Sequence, residues 1–133
     1  MNLRFLDHVA LKVSDIEASA NWYEEVLGLK IYRFEKEWGS FPIFALAGKS
    51  GIALFPTKKD YPKPLPPGDF RTMSHLAFNI DRENFEDAKT KLEKHGITYE
   101  FQDHDFFHSI YFSDPDGYRL EITTLLIDDE DFY

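Results

Sequence analysis

Polar and apolar residues alternate in short runs along most of this chain, and two stretches switch to a helical period. Residues 5–13, Phe-Leu-Asp-His-Val-Ala-Leu-Lys-Val, alternate as a half-buried strand does. Ser14-Asp-Ile-Glu17 then has the spacing of a capping box, and Ile16, Ala20, Tyr23 and Leu27 recur on one helical face up to Gly28, a C-cap glycine. Strands are predicted at about 29–36, 40–47 and 51–57, the last two joined by the hairpin signal Gly48-Lys-Ser-Gly51. Residues 58–72 include Pro62, Pro64, Pro66 and Pro67, which excludes helix or central strand and predicts a linker or covering loop.

The pattern then repeats. Residues 74–80, Ser-His-Leu-Ala-Phe-Asn-Ile, read as a strand with Asp81 as a candidate N-cap. Phe85, Ala88 and Leu92 mark an amphipathic helix ending at His95-Gly96, and strands are predicted at about 97–102, 107–113 and 117–124. Between the last two lies Asp114-Pro-Asp-Gly117, a turn in which proline presets φ and glycine accepts φ > 0. His8 and His75 are 67 positions apart, as are Ala10 and Ala77, and Val13 and Ile80; Gly28 and Gly96 are 68 apart, Gly51 and Gly117 66. This is a duplication. The fold class is therefore α+β, with two β-α-β-β-β modules (about 4–57 and 73–125) forming one domain, followed by an acidic tail, 126–133. The expected architecture is a curved, mixed but mostly antiparallel sheet with helices outside and a cleft inside.

Alternation selects the residues that line the cleft. His8 and Ala10 share a strand face, as do His75 and Ala77, and each alanine leaves room beside its histidine. On the last strand Leu120 and Ile122 face the core while Arg119, Glu121 and Thr123 face the cleft. Two imidazoles and one carboxylate form a 2-His-1-carboxylate set, so His8, His75 and Glu121 are the candidate ligands of one divalent ion: Fe, Mn, Zn, Ni or Co. Matching Gly51 to Gly117 pairs Glu121 with Phe55, which cannot ligate, so three ligands are expected and not four. Trp38, Phe41, Phe44, Phe106 and Phe107 offer an aromatic wall for a small, apolar or aromatic substrate if they face the cleft.

Composition removes several alternatives. The 133 residues contain no cysteine, which excludes disulfides, thiolate metal sites and a cysteine nucleophile. A net charge of −9 opposes a nucleic-acid partner. No stretch approaches the roughly 20 apolar residues of a membrane span, so no membrane association and a cytoplasmic location are expected.

His8-Val-Ala followed by Ser14-Asp-Ile-Glu-Ala-Ser-Ala-Asn-Trp-Tyr-Glu-Glu-Val-Leu-Gly28, together with Asp114-Pro-Asp-Gly-Tyr-Arg-Leu-Glu121, resembles the vicinal oxygen chelate superfamily. Its members include glyoxalase I, extradiol dioxygenases, methylmalonyl-CoA epimerase, and fosfomycin and bleomycin resistance proteins. The resemblance spans about residues 4–125 and implies a metal that binds substrate oxygens, and a homodimer. Tyr111, ten residues before Glu121 within Ser109-Ile-Tyr-Phe112, is similar to the tyrosine of extradiol dioxygenases, which implies a donor to a substrate oxygen. Asp103-His104 resembles their Asp-His-Gly element, with Asp105 in place of glycine, and makes His104 a second catalytic candidate. Their acid–base histidine has no equivalent, because no histidine lies between His8 and His75. Arg119, Phe55, Trp38 and Phe107 are candidate substrate contacts; His108 flanks the same loop as His104 and is, like it, placed to protonate a bound substrate or to be a solvated loop histidine, while His95 reads as a cation near a helix C-terminus. The resemblance to phosphonate-binding members lacks their cations, since no Lys or Arg follows Glu121. The leading expectation is a metal-dependent, dioxygenase-like oxidoreductase or a lyase. The alternatives are a non-catalytic drug-binding protein and a thiol transferase of the same fold.

Overall fold

The computed structural model describes residues 1–58 and 66–133, so Pro62 and Pro64 of the expected linker lie outside the described residues. The chain divides into two compact units, Met1–Gly68 and Asp69–Tyr133. The first contains β1 (His8–Val13), α1 (Ile16–Leu27), β2 (Lys30–Arg33), a one-turn α2 (Glu35–Trp38), β3 (Ile43–Ala47) and β4 (Ser50–Pro56). The second contains β5 (Leu76–Asn79), a 3₁₀ turn (Arg82–Asn84), α3 (Phe85–Lys94), β6 (Glu100–Asp103), β7 (Phe107–Ser113) and β8 (Arg119–Leu125). Each unit builds a four-stranded mixed sheet, in the order β1-β4-β3-β2 and β5-β8-β7-β6. In both, the first strand lies parallel to the last and every other pairing is antiparallel. This is the duplicated α+β arrangement that the repeat arithmetic requires.

Local chemistry accounts for the element ends. Helix α1 is capped by Asp15, whose Oδ1 accepts the Ala18 N–H at 2.9 Å, one residue later than the capping box implies. Gly28 closes it in the left-handed region, φ 67°. Strand β2 stops at Arg33, three residues short of its predicted end, because the chain turns into α2 and the Phe34 and Trp38 rings pack at 4.8 Å. Tyr23, Val13, Ile52 and Leu54 are fully buried in the first unit, and Leu92, Ile110 and Leu120 in the second. Among the described residues, no helix is long and apolar enough to cross a membrane.

The register corrects one expectation. Ala10 pairs with Ala53 and Ala77 with Glu121, so the counterpart of Glu121 is Ala53, not Phe55. Phe55 sits two residues further along the same face, opposite Lys12. Loops of unequal length shift the sequence offset, whereas a parallel ladder fixes which residues are opposite. Alanine, like phenylalanine, has no atom to give a metal, so a three-ligand set is still what this repeat can supply.

Gly51 is the tightest backbone approach in the first sheet. A Cβ there would collide with the Ala45 carbonyl oxygen and the Leu46 Cα, neither of which can move alone. Gly51→Ala should therefore destabilise the protein by about 1–3 kcal/mol in urea unfolding.

Candidate metal and substrate site

The second unit assembles most of the candidate residues on the sheet face opposite α3. The Asp114-Pro-Asp-Gly turn starts β8: buried Asp114 accepts the backbone N–H groups of Asp116 and Tyr118 through Oδ1, at 2.9 and 2.8 Å, and Gly117 adopts φ 87°. With its start pinned, β8 buries Leu120 and Ile122 and sends Glu121 to the other face. Across the sheet Glu121 lies between Ala77 and Tyr111, and Tyr111 in turn lies opposite Glu100.

Glu121 is only 7% exposed. A buried carboxylate requires a partner, and His75 Nε2 stands 2.9 Å from its Oε2. His75 is placed just ahead of β5, and its Nδ1 is 3.4 Å from the Ser74 hydroxyl. The Tyr111 ring meets the His75 ring edge to face at 5.6 Å. The Tyr111 hydroxyl titrates above the ordinary tyrosine range, mainly because it is buried and further because it donates a hydrogen bond to the negatively charged Glu121. His104 Nε2 shares a hydrogen bond with the same hydroxyl at 3.1 Å. The β6–β7 turn aims this histidine: the His104 N–H donates to the Phe107 carbonyl at 2.8 Å, and Asp105 takes φ 62°, a left-handed value that Asp tolerates better than most residues.

Arg119 lies on the same face. Its guanidinium sits 4.9 Å from the centre of the Tyr111 ring, and Nη2 is 3.5 Å from Glu100 Oε2. The Glu100 carboxyl titrates below its usual range, first through the hydrogen bond from Gln102 and then through Arg119. His108 occupies the opposite face, among Phe85 and Phe101, with Asp103 at 3.7 Å. Phe107 packs on Phe132 at 4.8 Å, and Phe106 is exposed.

The first unit carries His8 and the aromatic residues. His8 Nδ1 is held by Asp7 Oδ1 at 2.7 Å. A carboxylate on one ring nitrogen is the arrangement that orients a ligating histidine and presents the other nitrogen. The His8 ring meets Phe44 at 5.4 Å, Phe44 meets Trp38 at 6.1 Å and Phe34 at 6.0 Å, and Phe41 meets Phe55 at 6.3 Å. Trp38 is 56% exposed, so this aromatic surface faces outward. Among the described residues, no group of three His, Cys, Asp or Glu side chains is gathered as a metal site. The chemistry of the donors nevertheless fits a divalent ion: Glu121 and His75 turn an oxygen and a nitrogen toward each other, and Asp7 leaves His8 with one ring nitrogen to give.

Sequence reasoning missed Asp7 and Glu100. Asp7 was legible as an acidic neighbour of His8, but adjacent positions on a strand point to opposite faces, which hides the contact. Glu100 required the β6 register, which places it opposite Tyr111.

Two units of identical strand order define a paired-module α+β protein. A family model for the Glyoxalase/Bleomycin resistance protein/Dioxygenase superfamily matches residues 5–122, and the chain belongs to that superfamily. It is similar to a glutathione transferase FosA from Serratia marcescens, 31% identical over 90% of this chain and 80% of that protein. It is also similar to a metallothiol transferase FosB from Staphylococcus saprophyticus, 30% identical over 98% of this chain and 84% of that protein. Among solved structures, a glyoxalase/dioxygenase from Nostoc punctiforme superposes with a TM-score of 0.78 at 28% identity, covering 95% of this chain and 94% of that one. These relatives overturn the expected dioxygenase-like oxidoreductase or lyase, because the curated proteins that the chain resembles are transferases. Ligand sets of this kind serve several reactions, so the site residues alone favoured no single chemistry.

The raised titration of Tyr111 gives a direct check. Its contribution to stability is full below the ordinary tyrosine value, about pH 10, and is lost as pH rises through its higher folded value. Phenolate absorbance compared between the wild type and Tyr111→Phe should show the missing tyrosine titrating above about pH 10. Glu121→Gln should bring that titration down without restoring the ordinary value, because burial remains.

Proposed function

We propose that this chain is a metal-dependent transferase that joins a thiol to a small, oxygen-bearing electrophile. His8, His75 and Glu121 are its metal ligands and Tyr111 is its hydrogen-bond donor to the electrophile. The observation that carries this reading is the 2.9 Å contact between His75 and buried Glu121 on the sheet face shared with Tyr111. The similarity to a glutathione transferase and a metallothiol transferase supplies the reaction class.

A divalent ion held by these residues would supply a Lewis acid for an oxygen of the electrophile. The chain's own groups supply the rest. In the reaction, a sulfur–carbon bond forms, the polarised carbon–oxygen bond of the electrophile breaks, and the thiol's proton ends on the released oxygen. Tyr111 is kept protonated by burial and by Glu121, which holds its one O–H in this structure; with that carboxylate engaged as a ligand, the O–H would turn to the oxygen as negative charge develops. His104 Nε2, 3.1 Å from the phenol oxygen, helps to hold that hydroxyl in place. Phe44, against His8, and the Phe34 and Trp38 rings beyond it give an apolar body something to lie on.

The electrophile is read as uncharged. A phosphonate needs cations around it, and after Glu121 the chain has no Lys or Arg but does have Asp128, Asp129, Glu130 and Asp131. Glutathione consumption with Mn²⁺ and styrene oxide, a neutral aromatic epoxide, should exceed that with fosfomycin. It should stop on adding EDTA and fall by about 10²-fold in Tyr111→Phe. Equal consumption with and without EDTA would overturn the metal-dependent reading.

A further inference from the structure

Residues 126–133 carry four acidic side chains in a row, yet they pack against the second sheet. Where β8 ends, the Leu126 N–H donates to the Phe106 carbonyl at 2.8 Å. A 3₁₀ turn, Asp129–Asp131, follows, and the Phe132 ring then meets Phe107 edge to face at 4.8 Å. We propose that Phe132 is a positioning residue: it clamps the β6–β7 turn, which sets His104 and, through His104, the hydroxyl of Tyr111. The proposal rests on the reading of Tyr111 as donor to the electrophile, and extends it to a residue outside the reacting centre.

Phe107 and Tyr111 share one face of β7 but stand four residues apart, a rise of about 13 Å, which is beyond ring-to-ring contact. Hydrogen bonds supply the route between them. The His104 N–H donates to the Phe107 carbonyl at 2.8 Å, and the Phe106 N–H to the His104 carbonyl at 2.7 Å. The His104 ring then reaches back along the sheet, with Nε2 at 3.1 Å from the Tyr111 oxygen and the two rings edge to face at 6.3 Å. One backbone bond thus separates the residue that Phe132 covers from the residue that touches Tyr111.

The turn needs such a clamp. His104, Asp105 and Phe106 are all exposed, and Asp105 holds φ 62°, so the core does not fix their place. A hydrogen bond at 3.1 Å has a margin of about 0.4 Å before it is lost, and a small outward movement of the turn is enough to break it. Two contacts from residues 126–133 oppose that movement. One is the Leu126 N–H, a backbone group; the other is the Phe132 ring, which a substitution removes. Phe132 is itself held, since its N–H donates to the Asp129 carbonyl at 3.1 Å and its ring meets Tyr133 at 5.1 Å. An aromatic pair of this kind shifts an opening equilibrium by about two- to tenfold.

The test compares Phe132→Ala with Phe132→Tyr, which keeps the ring, in the full chain. Phe132 is 53% exposed, so neither substitution opens the core. Nuclear magnetic resonance of the metal-free wild type should show cross-peaks between the ring protons of His104 and Tyr111, assigned by their loss in His104→Asn. Phe132→Ala should weaken them about twofold or more, and Phe132→Tyr should retain them. In glutathione consumption with Mn²⁺ and styrene oxide, Phe132→Ala should lower kcat about two- to tenfold with KM unchanged, and should cost nothing further in a His104→Asn background. Cross-peaks absent from the wild type, or undiminished in Phe132→Ala, would overturn the positioning role. So would a kcat loss that persists in full when His104 is already replaced. Cross-peaks that depend on Phe132 in a protein that conjugates no thiol would keep the positioning route and overturn the transferase reading.

Discussion

The carboxylate of Glu121 is buried in the middle of an otherwise apolar strand, and the surrounding sheet is arranged so that this carboxylate has partners. The Asp114 turn fixes where β8 begins, which decides that Glu121 and not Leu120 or Ile122 faces away from α3. Ala77, opposite it on β5, is small enough to leave the space that His75 Nε2 reaches into. Tyr111, opposite it on β7, donates to it. Removing His75 or Tyr111 would leave a buried carboxylate with one partner fewer, which costs more than losing an ordinary contact.

Tyr111 connects this pair to everything else on the face. Its ring carries Arg119, its edge meets His75, and its hydroxyl is shared by Glu121 and His104. A phenol held from several directions would lose little freedom on meeting a reacting oxygen, which is what the proposed donor role requires. The two units differ in composition: the second carries His75, Tyr111, Arg119 and the buried Glu121, and the first carries His8 and a surface of aromatic rings.

Much of this was legible from residues alone. Alternation in Ser109–Thr123 and the Asp-Pro-Asp-Gly turn were enough to turn Glu121 inward, and offsets near 67 residues exposed the duplication. What failed was whatever depended on spacing through loops. The counterpart of Glu121 is Ala53 because ladder pairing decides it, and glycine-to-glycine offsets absorb differences in loop length. The α2 turn escaped notice because Phe34 and Trp38 make it by packing on each other, a contact that strand periodicity does not encode. The ring of His104 and the guanidinium of Arg119 both meet Tyr111, and no sequence pattern lists such convergence. The reaction class was the least legible, since two histidines and a glutamate are equally suited to oxidation, isomerisation and group transfer.

The central claim, that His8, His75 and Glu121 hold one divalent ion, is tested most directly by pulsed electron paramagnetic resonance of the Mn²⁺-loaded protein. Imidazole nitrogen couplings count the histidines on the metal. The account requires two, with one lost in His8→Ala and one in His75→Ala, and binding greatly weakened in Glu121→Ala. Bound Mn²⁺ whose nitrogen couplings survive both histidine substitutions would contradict it.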